Sequence, residues 1–497
     1  MPEVVIVGGS LVGLSAALFL RTHGVDVLLA ERHPGTSIHP RTPGYNARTM
    51  ELFRAAGVEE AVRAAGPWKL NGTGLLWAET LTGPNHRWLA PPNTAAQPED
   101  LSPCTDVVMS QDVLEPVLRA HAEALGAELR FGTELESFGN HADGVTATLL
   151  DRETGTRTTV EAAYLIAADG AGSGIRAALG IGRSGIGVLE HVVSIMVRAD
   201  IRKELGDRSF AIAQVNNPGF TGMARVVGDK LALHVTYDPG EGVAQFTPDR
   251  CVELARAAAG LPDLDVEPLE VLPWANTAAV ADAFSAGRVF LAGDAAHVMP
   301  PSGAYGANTG IQDAANLAWK LARVLRGQAG PGLLATYDAE RRPVARLTME
   351  QALATGRDWF GADLPAEVHA IELLDTAIVK FGYRYGAGEP YEDPRRPGCT
   401  PGSRAPHVWV EPGVSTVDLW AGGLVLLTGS EGTAWLEAAT RLPLTARRVP
   451  DTKAFGITGS GAVLIRPDGF IAWRAETADA RPGATLAAAC EALLAGA

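Results

Sequence analysis

Three stretches of this chain place glycines and acids where a phosphate-bearing ligand could be held. The first is Val5-Ile6-Val7-Gly8-Gly9-Ser10-Leu11-Val12-Gly13. Gly8 allows a tight turn, Gly13 allows close packing of a helix on a strand, and the helix start offers free N–H groups and a positive dipole end to a pyrophosphate. Glu31, closing the next apolar run, is placed to hold ribose hydroxyls, with Arg32 beside it. The dinucleotide fingerprint GxGxxG has its middle glycine replaced by Ser10, a residue small enough to keep the backbone near phosphate. The bland alternative is a glycine-rich turn that binds nothing; strand, helix, strand and terminal acid together weigh against it.

The second stretch, Asp169-Gly170-Ala171-Gly172-Ser173-Gly174-Ile175-Arg176, follows the apolar run Tyr164–Ala167. The third reads Gly293-Asp294-Ala295-Ala296-His297 and continues through Pro300-Pro301-Ser302-Gly303-Ala304-Tyr305-Gly306-Ala307-Asn308-Thr309-Gly310. At a strand end, Asp294 can accept hydrogen bonds from the hydroxyls of a ribityl chain. A helix predicted over Thr309–Leu325 would then turn its N-terminal dipole toward the N1/C2=O edge of a reduced isoalloxazine.

In this order and spacing the three segments resemble the nucleotide fingerprint, the DG motif and the GD motif of the single-component (class A) FAD-dependent aromatic hydroxylases. Arg41, Asn46–Glu51, Ser110–Glu115, Asp313–Leu321 and Tyr337–Pro343 match further positions of that family, so the likeness covers roughly the first 360 residues. It implies that Gly8, Ser10, Gly13, Glu31 and Arg32 hold the ADP half of FAD. Arg41 and Gln111 would contact the flavin side, Asp294 the ribityl chain, and Pro301 with Gly306, Ala307 and Asn308 the ring. Asp169 and Arg176 resemble residues tied to both FAD and NAD(P)H use, the alternative being an ordinary ion pair at a strand-end turn. Where the family often reads Pro-Pro-x-Gly-Gly-Gln-Gly, this chain has Ala304-Tyr305 before Gly306, so the ring surroundings are expected to differ. A second strand–GxGxxG–helix unit and a redox cysteine pair are both missing from the sequence, which disfavours the two-Rossmann disulfide reductases. No WxWxIP-like run suggests a halogenase.

The last ninety or so residues resemble the thioredoxin-like C-terminal domain of polyketide and phenol hydroxylases, through Ser415–Leu419 and Leu464–Arg474, but without CxxC. The overall pattern is similar to the aromatic polyketide hydroxylases that tailor anthracyclines and angucyclines. That resemblance implies hydroxylation of a polycyclic aromatic substrate with O2 through a flavin C4a-hydroperoxide, using NADPH, with NADH possible. Gln214, Phe220, Met223, Arg225, His234 and Trp274 are candidates to line the substrate pocket, though each is more often ordinary core or sheet surface. No residue identifies itself as a catalytic base; His297 reads as packing within its motif. Two rivals stay open: Baeyer–Villiger oxygen insertion into a related polyketide, and a flavoprotein that sequesters an aromatic ligand without turnover.

Composition sets the frame for these sites. The chain has 497 residues, 57 acidic and 42 basic, for a net charge of -15, which argues against nucleic acid and anionic membranes as partners. No apolar run is long enough to span a membrane, and the N-terminus reads as a strand rather than a leader, so a cytoplasmic enzyme, monomer or homodimer, is expected. Cys104, Cys251, Cys399 and Cys490 are far apart and suggest no metal set.

The elements that must position the sites read as an α/β chain. A Rossmann-like FAD-binding domain is expected over 1–185, with interleaved segments near 70–105. A strand-rich substrate domain should cover 186–280, with strands at Val192–Val197, Phe210–Val215 and Leu231–Tyr237. The chain returns to the FAD domain and long helices over 281–390, and a thioredoxin-like domain occupies 400–497 after a Pro/Gly-rich linker at Gly388–Arg404.

Overall fold

The computed structural model describes residues 1–39, 41–42, 44–65, 74–90, 101–360 and 364–496. Of the interleaved stretch expected near 70–105, residues 70–73 and 91–100 lie outside the described residues. The chain divides into two compact units, one of residues 1–66, 98–185 and 279–497, the other of residues 67–97 and 186–278.

The first unit is built on a sheet whose strand order is Ser285–Ala286, Val289–Leu291, Tyr164–Ala167, Val4–Val7, Val27–Glu31 and Glu128–Phe131. All pairings are parallel except the edge hairpin of the first two. Val4–Val7 is central and wholly buried, and so its four residues are all apolar rather than alternating. Helix Leu11–Thr22 packs against helix Gln111–Ala124 and against helix Tyr305–Leu325. The latter approach is close: a Cβ on Gly310 would stand 2.7 Å from Val12 Cγ2. A separate antiparallel sheet, Thr133–Asn140, Val145–Asp151 and Arg157–Ala162, turns at the two glycine signals near Gly144 and Gly155.

The long helix Gly332–Phe360 runs through Pro343 without a break. Proline there removes the bond to the Ala339 carbonyl, and Ala339 is exposed, so water can serve that carbonyl instead. The helix expected near Thr49–Ala65 is two, Ala47–Ala55 and Glu59–Ala64, parted at Gly57, whose φ of 76° ends the first.

In the C-terminal part of this unit the strand order is Thr445–Arg448, Val425–Thr428, Ala462–Ile465, Ile471–Ala475. The first pair is parallel and the others antiparallel, the order 2-1-3-4 of a thioredoxin-like sheet. Alternation divides its residues cleanly. Val425, Leu427, Val463 and Ile465 face a core with Trp420 and Phe455, whereas Leu424, Leu426 and Leu464 face Trp435 and Leu486 of the two helices. Burial pushes the Cys399 thiol up to about 12, and all four cysteines are buried and unpaired. No helix among the described residues is long and apolar enough to cross a membrane.

The second unit is a large antiparallel sheet with one parallel pair. Its order is Glu267–Ala281, Arg183–Arg198, Lys230–Thr236, Phe220–Val227, Ile212–Asn217, Leu75–Ala78, His86–Ala90. The three strands expected from sequence are joined by Phe220–Val227 and by a helix, Pro248–Ala259, that the strand-rich reading of this block passed over. Thr247 caps that helix by accepting from Arg250 N, Pro248 opens it, and Gly260 closes it in the left-handed region at φ 78°. The helix buries Cys251, Leu254, Ala255 and Ala258 with Val193, Ile195, Ala213, Val215, Ala224, Leu231 and Leu233 of the sheet.

Candidate active site

In the first unit the two glycine-rich turns meet. Gly8 takes φ 106°, and a Cβ there would lie 2.2 Å from the Ala168 carbonyl oxygen; a Cβ on Gly13 would lie 1.9 Å from that of Gly8. Neither position tolerates a side chain. The first internal bond of helix Leu11–Thr22 runs from Leu14 N to Ser10 O at 2.9 Å, which leaves the amides before it outside the helix's own ladder. Glu31 is held in place: Gly9 N donates to its Oε2 at 2.6 Å, and His33 N to its Oε1 at 2.8 Å. Arg32 is exposed, its carbonyl accepting from Arg152.

Ser10, the departure from the fingerprint, has a partner that sequence reasoning assigned no role. Its hydroxyl donates to Glu115 Oε1 at 2.6 Å and accepts from Gln111 Nε2 at 2.8 Å, and Ser37 N donates to Glu115 Oε2 at 2.6 Å. Burial raises the Glu115 carboxyl above its ordinary range, against the pull of those donors. Gln111 therefore has its side chain at the first turn, while its backbone N–H donates to Arg41 O at 2.9 Å.

Asp169 and Arg176 do not form the ordinary ion pair. Arg176 donates to the carbonyls of Ala295, at 2.9 Å, and Ala171, tying the second segment to the third. Asp169 accepts from Ile175 N at 3.2 Å through Oδ2, and its Oδ1 is buried with no partner.

The third segment is anchored from beneath by a buried lattice. Asp313 accepts from Gly293 N, from His297 Nε2 at 2.7 Å and from Arg341 Nε at 2.7 Å; Arg341 also reaches Thr309 O and Tyr385 Oη. His297 is part of this support. Asp294 itself is an exposed residue just beyond the end of strand Val289–Leu291. Desolvation by the protein around it raises its carboxyl, with His297 and Arg41 pulling the other way.

The helix expected from Thr309 starts one turn earlier, at Tyr305. Ala304, at φ 54°, adopts the left-handed turn that glycine takes freely, at a cost of about 1–2 kcal/mol. Tyr305 is buried with Ala352 and Val379, and its ring covers Gly303, where a Cβ would come within 2.3 Å of it. That packing is the physical content of the Ala304-Tyr305 departure. Asn308 accepts from Asn46 N and Thr49 Oγ1 and donates to Ala304 O, so its side chain braces the first turn of the helix. The backbone of Gly306 and Ala307 is half-buried and Pro301 is exposed.

A glycine cradle, an orphaned Asp169 oxygen and an exposed Asp294 at a strand end fit a dinucleotide with a polyhydroxylated chain, as FAD is.

On the sheet face opposite helix Pro248–Ala259, register places Ser194, His234, Met223, Gln214, Trp77 and Arg87 in one lateral row, each opposite the next. Trp274 Nε1 donates to Ser194 Oγ at 2.9 Å, which lies 2.8 Å from His234 Nδ1. Five of the six residues expected in the pocket, Gln214, Met223, Arg225, His234 and Trp274, share this face. Phe220 does not: it is buried in the core beneath the helix, because its strand alternates and Phe220 has the parity of Ala224 and Val226. Trp77, Ser194 and Asn276 were not foreseen. Asn276 donates to Glu190 Oε1 at 3.0 Å and leaves its own Oδ1 buried and unpartnered.

A parallel sheet with a glycine cradle at its C-terminal edge, an exposed strand-end Asp294 and a thioredoxin-like C-terminal domain together define an FAD-dependent aromatic-ring hydroxylase. The chain belongs to that family: residues 1–352 match the FAD binding domain and residues 399–497 the aromatic-ring hydroxylase C-terminal domain. It is an FAD-dependent monooxygenase.

Among individual relatives, it is 44% identical to a putative polyketide hydroxylase of Streptomyces halstedii, over 95% of this chain and 93% of that protein. It is 43% identical to tetracenomycin B2 monooxygenase-dioxygenase of Streptomyces olivaceus, over 97% of each. The solved ternary complex of aklavinone-11 hydroxylase with FAD and aklavinone superposes with a TM-score of 0.91 at 37% identity, covering 99% of both chains.

Proposed function

We propose that this monooxygenase hydroxylates a polycyclic, polyketide-like phenol with NADPH as reductant. The observation that carries the reading is the lateral row on the second unit's sheet. Strands lie about 4.8 Å apart, so the row from Ser194 to Trp77 extends over roughly 19 Å. It is wider than a fused tetracyclic ring system, and it mixes aromatic and sulfur-bearing side chains with a few polar groups. Flat apolar ligands with sparse oxygens suit such a surface. Relatives named for tetracenomycin and aklavinone chemistry support the same substrate class.

Within the first unit, Gly8 and Gly13 with the amides at the start of helix Leu11–Thr22 would take the pyrophosphate of FAD. Glu31 would take the ribose, Asp294 the ribityl hydroxyls, and the turn Pro301–Asn308 with Arg41 the ring. Asp169 would offer its free oxygen to the cofactor. Gln111, whose amide donates to Ser10, would reach the cofactor beside the pyrophosphate turn. Bound FAD, reduced by NADPH, supplies the activation of O2 and delivers one oxygen atom to the aromatic ring. The protein's own part is to hold the ring in reach, keep water out and stabilise negative charge at the N-terminus of helix Tyr305–Leu325.

The test is NADPH oxidation by the purified holoenzyme with and without polycyclic phenols, with product mass and NMR. Ligand-stimulated oxidation with one oxygen added to a ring carbon is the expected result. A lactone product would turn the reading to Baeyer–Villiger chemistry, and tight ligand binding without any NADPH consumption would turn it to sequestration.

A further inference from the structure

Trp274, Ser194 and His234 stand on three adjacent strands of the second unit and form a chain of hydrogen bonds that, among the described residues, ends at His234. Trp274 can only donate, and it donates to Ser194 Oγ at 2.9 Å. The serine hydroxyl has one proton of its own, and its other partner is His234 Nδ1 at 2.8 Å. A neutral imidazole has a single N–H. If that proton sat on Nδ1 it would point at Ser194 Oγ, which would then accept twice while its own proton had no acceptor. With Ser194 donating to Nδ1, the Trp274 and Ser194 protons are both used, and the one proton without a protein acceptor is the imidazole's, on Nε2. Nε2 is not sealed inside the protein and can donate outward, whereas a stranded proton on the half-buried hydroxyl would cost about 1–3 kcal/mol. The imidazole proton is thereby placed on Nε2, at the far edge of the ring, where His234 makes no other hydrogen bond among the described residues.

We propose that Trp274 and Ser194 lock His234 as the neutral Nε2–H tautomer, a fixed donor that receives a carbonyl oxygen of the aromatic ligand. The inference rests on the reading of this face as the substrate-facing one. Burial, followed by the nearby Arg225, lowers the imidazole to about 4 and keeps the ring neutral at working pH. His234 stands between Ser194 and Met223 in the lateral row, so a ring system lying along it presents its edge oxygens to Nε2. A donor there selects an acceptor-only oxygen, as in a quinone, over a bare ring carbon. Ser194 and Trp274 act through His234 and are positioning residues.

Two measurements on the FAD-loaded enzyme test this. In 15N-histidine NMR, the imidazole signal that disappears in His234→Gln should report, in the wild type, a bare Nδ1 and a protonated Nε2; Ser194→Ala should shift it toward a mixture. A protonated Nδ1 in the wild type would overturn the lock. Binding of 1,8-dihydroxyanthraquinone and of its carbonyl-free counterpart 1,8-dihydroxyanthracene is then titrated in the oxidised holoenzyme. His234→Leu should weaken the quinone about tenfold, the loss of one hydrogen bond of about 1.4 kcal/mol, and leave the anthracene within about twofold. His234→Gln, whose amide N–H mimics Nε2–H, should retain quinone binding. Equal losses for both probes, or none for either, would overturn the donor role. A wild type that binds neither probe would overturn the substrate reading and the ligand half of the inference with it, while the NMR experiment would still decide the tautomer.

Discussion

Ser10 stands where the fingerprint's middle glycine is expected, and Glu115 explains how a hydroxyl is accommodated there. The carboxylate accepts from the Ser10 hydroxyl and, on the same oxygen, from Gln111 Nε2, turning the side chain toward helix Gln111–Ala124. Glu115→Ala should release Ser10, Gln111 and Ser37 together and weaken FAD by about tenfold, on the scale of one lost charge-assisted hydrogen bond, as read from the fluorescence of released flavin. Gly13→Ala should do worse: with a Cβ 1.9 Å from the Gly8 carbonyl, the strand–helix junction must open, and the variant should purify colourless if it folds. Gly8, Gly13 and Asp294 were legible in the sequence because close backbone approach and strand-end acids impose residue types at fixed spacing. Glu115 was visible as a matching position but not as a partner of Ser10, since the pair is brought together only by packing of two helices. Ser194 and Trp77 carried no signal at all: a serine and a tryptophan on strands more than a hundred residues apart come into one lateral row through register alone.

At the level of elements, His23 closes helix Leu11–Thr22, its backbone N–H donating to Phe19 O. Burial, then Arg323 and Arg326, lowers its imidazole to about 4. The unfolded chain, near 6.5, therefore takes up a proton first as pH falls, so stability is intact above about 6.5 and drains away between there and about 4. His23→Gln should flatten that slope in urea-unfolding series, removing up to about 3 kcal/mol of the pH dependence; an unchanged slope would locate the dependence in other groups. Thr247, Pro248 and Gly260 hold the cap, first-turn and stop positions of helix Pro248–Ala259, and the strand-rich reading of the block passed over them because the strands on either side dominate its composition. The earlier start at Tyr305 was hidden for a different reason: Gly303, Gly306 and Gly310 read as a loop, whereas burial of the Tyr305 ring nucleates the first turn.

At the scale of the whole first unit, the C-terminal sheet is joined to the FAD-binding part by buried charges. Arg466 makes a bidentate contact with Glu340, at 2.6 and 2.8 Å, and another with Asp468; Lys320 adds to Glu340 at 2.7 Å, and Asn316 reaches both acids. Nearby, Glu51 is clamped between Arg48 and Arg404, and Arg48 also donates to the Asp468 carbonyl at 2.5 Å. These cations hold the Glu340 and Glu51 carboxyls below the usual carboxylate range in spite of burial. Arg466→Met should cost roughly 3–5 kcal/mol, because two carboxylates are left buried. Arg466→Lys should recover only part of it, since an ammonium cannot reproduce the fork; both are measured by urea unfolding. The sequence placed the two domains in order along the chain but held no sign of this joint, whose members span Arg48 to Asp468.

The parallel pairing of Leu75–Ala78 with Ile212–Val215 has a consequence for the newborn chain. The earlier strand leaves the ribosome long before this partner is made, and at about 5–20 residues per second the interval is roughly seven to twenty-seven seconds. Throughout that time Leu75 and Leu76, which end up buried, have only the hairpin partner His86–Ala90 to pair with, whose Trp88 and Leu89 keep substantial exposure even afterwards. Slowing translation between these strands lengthens the sticky interval, so codon choice over this stretch should govern how much of the protein is recovered from a heterologous host in usable form.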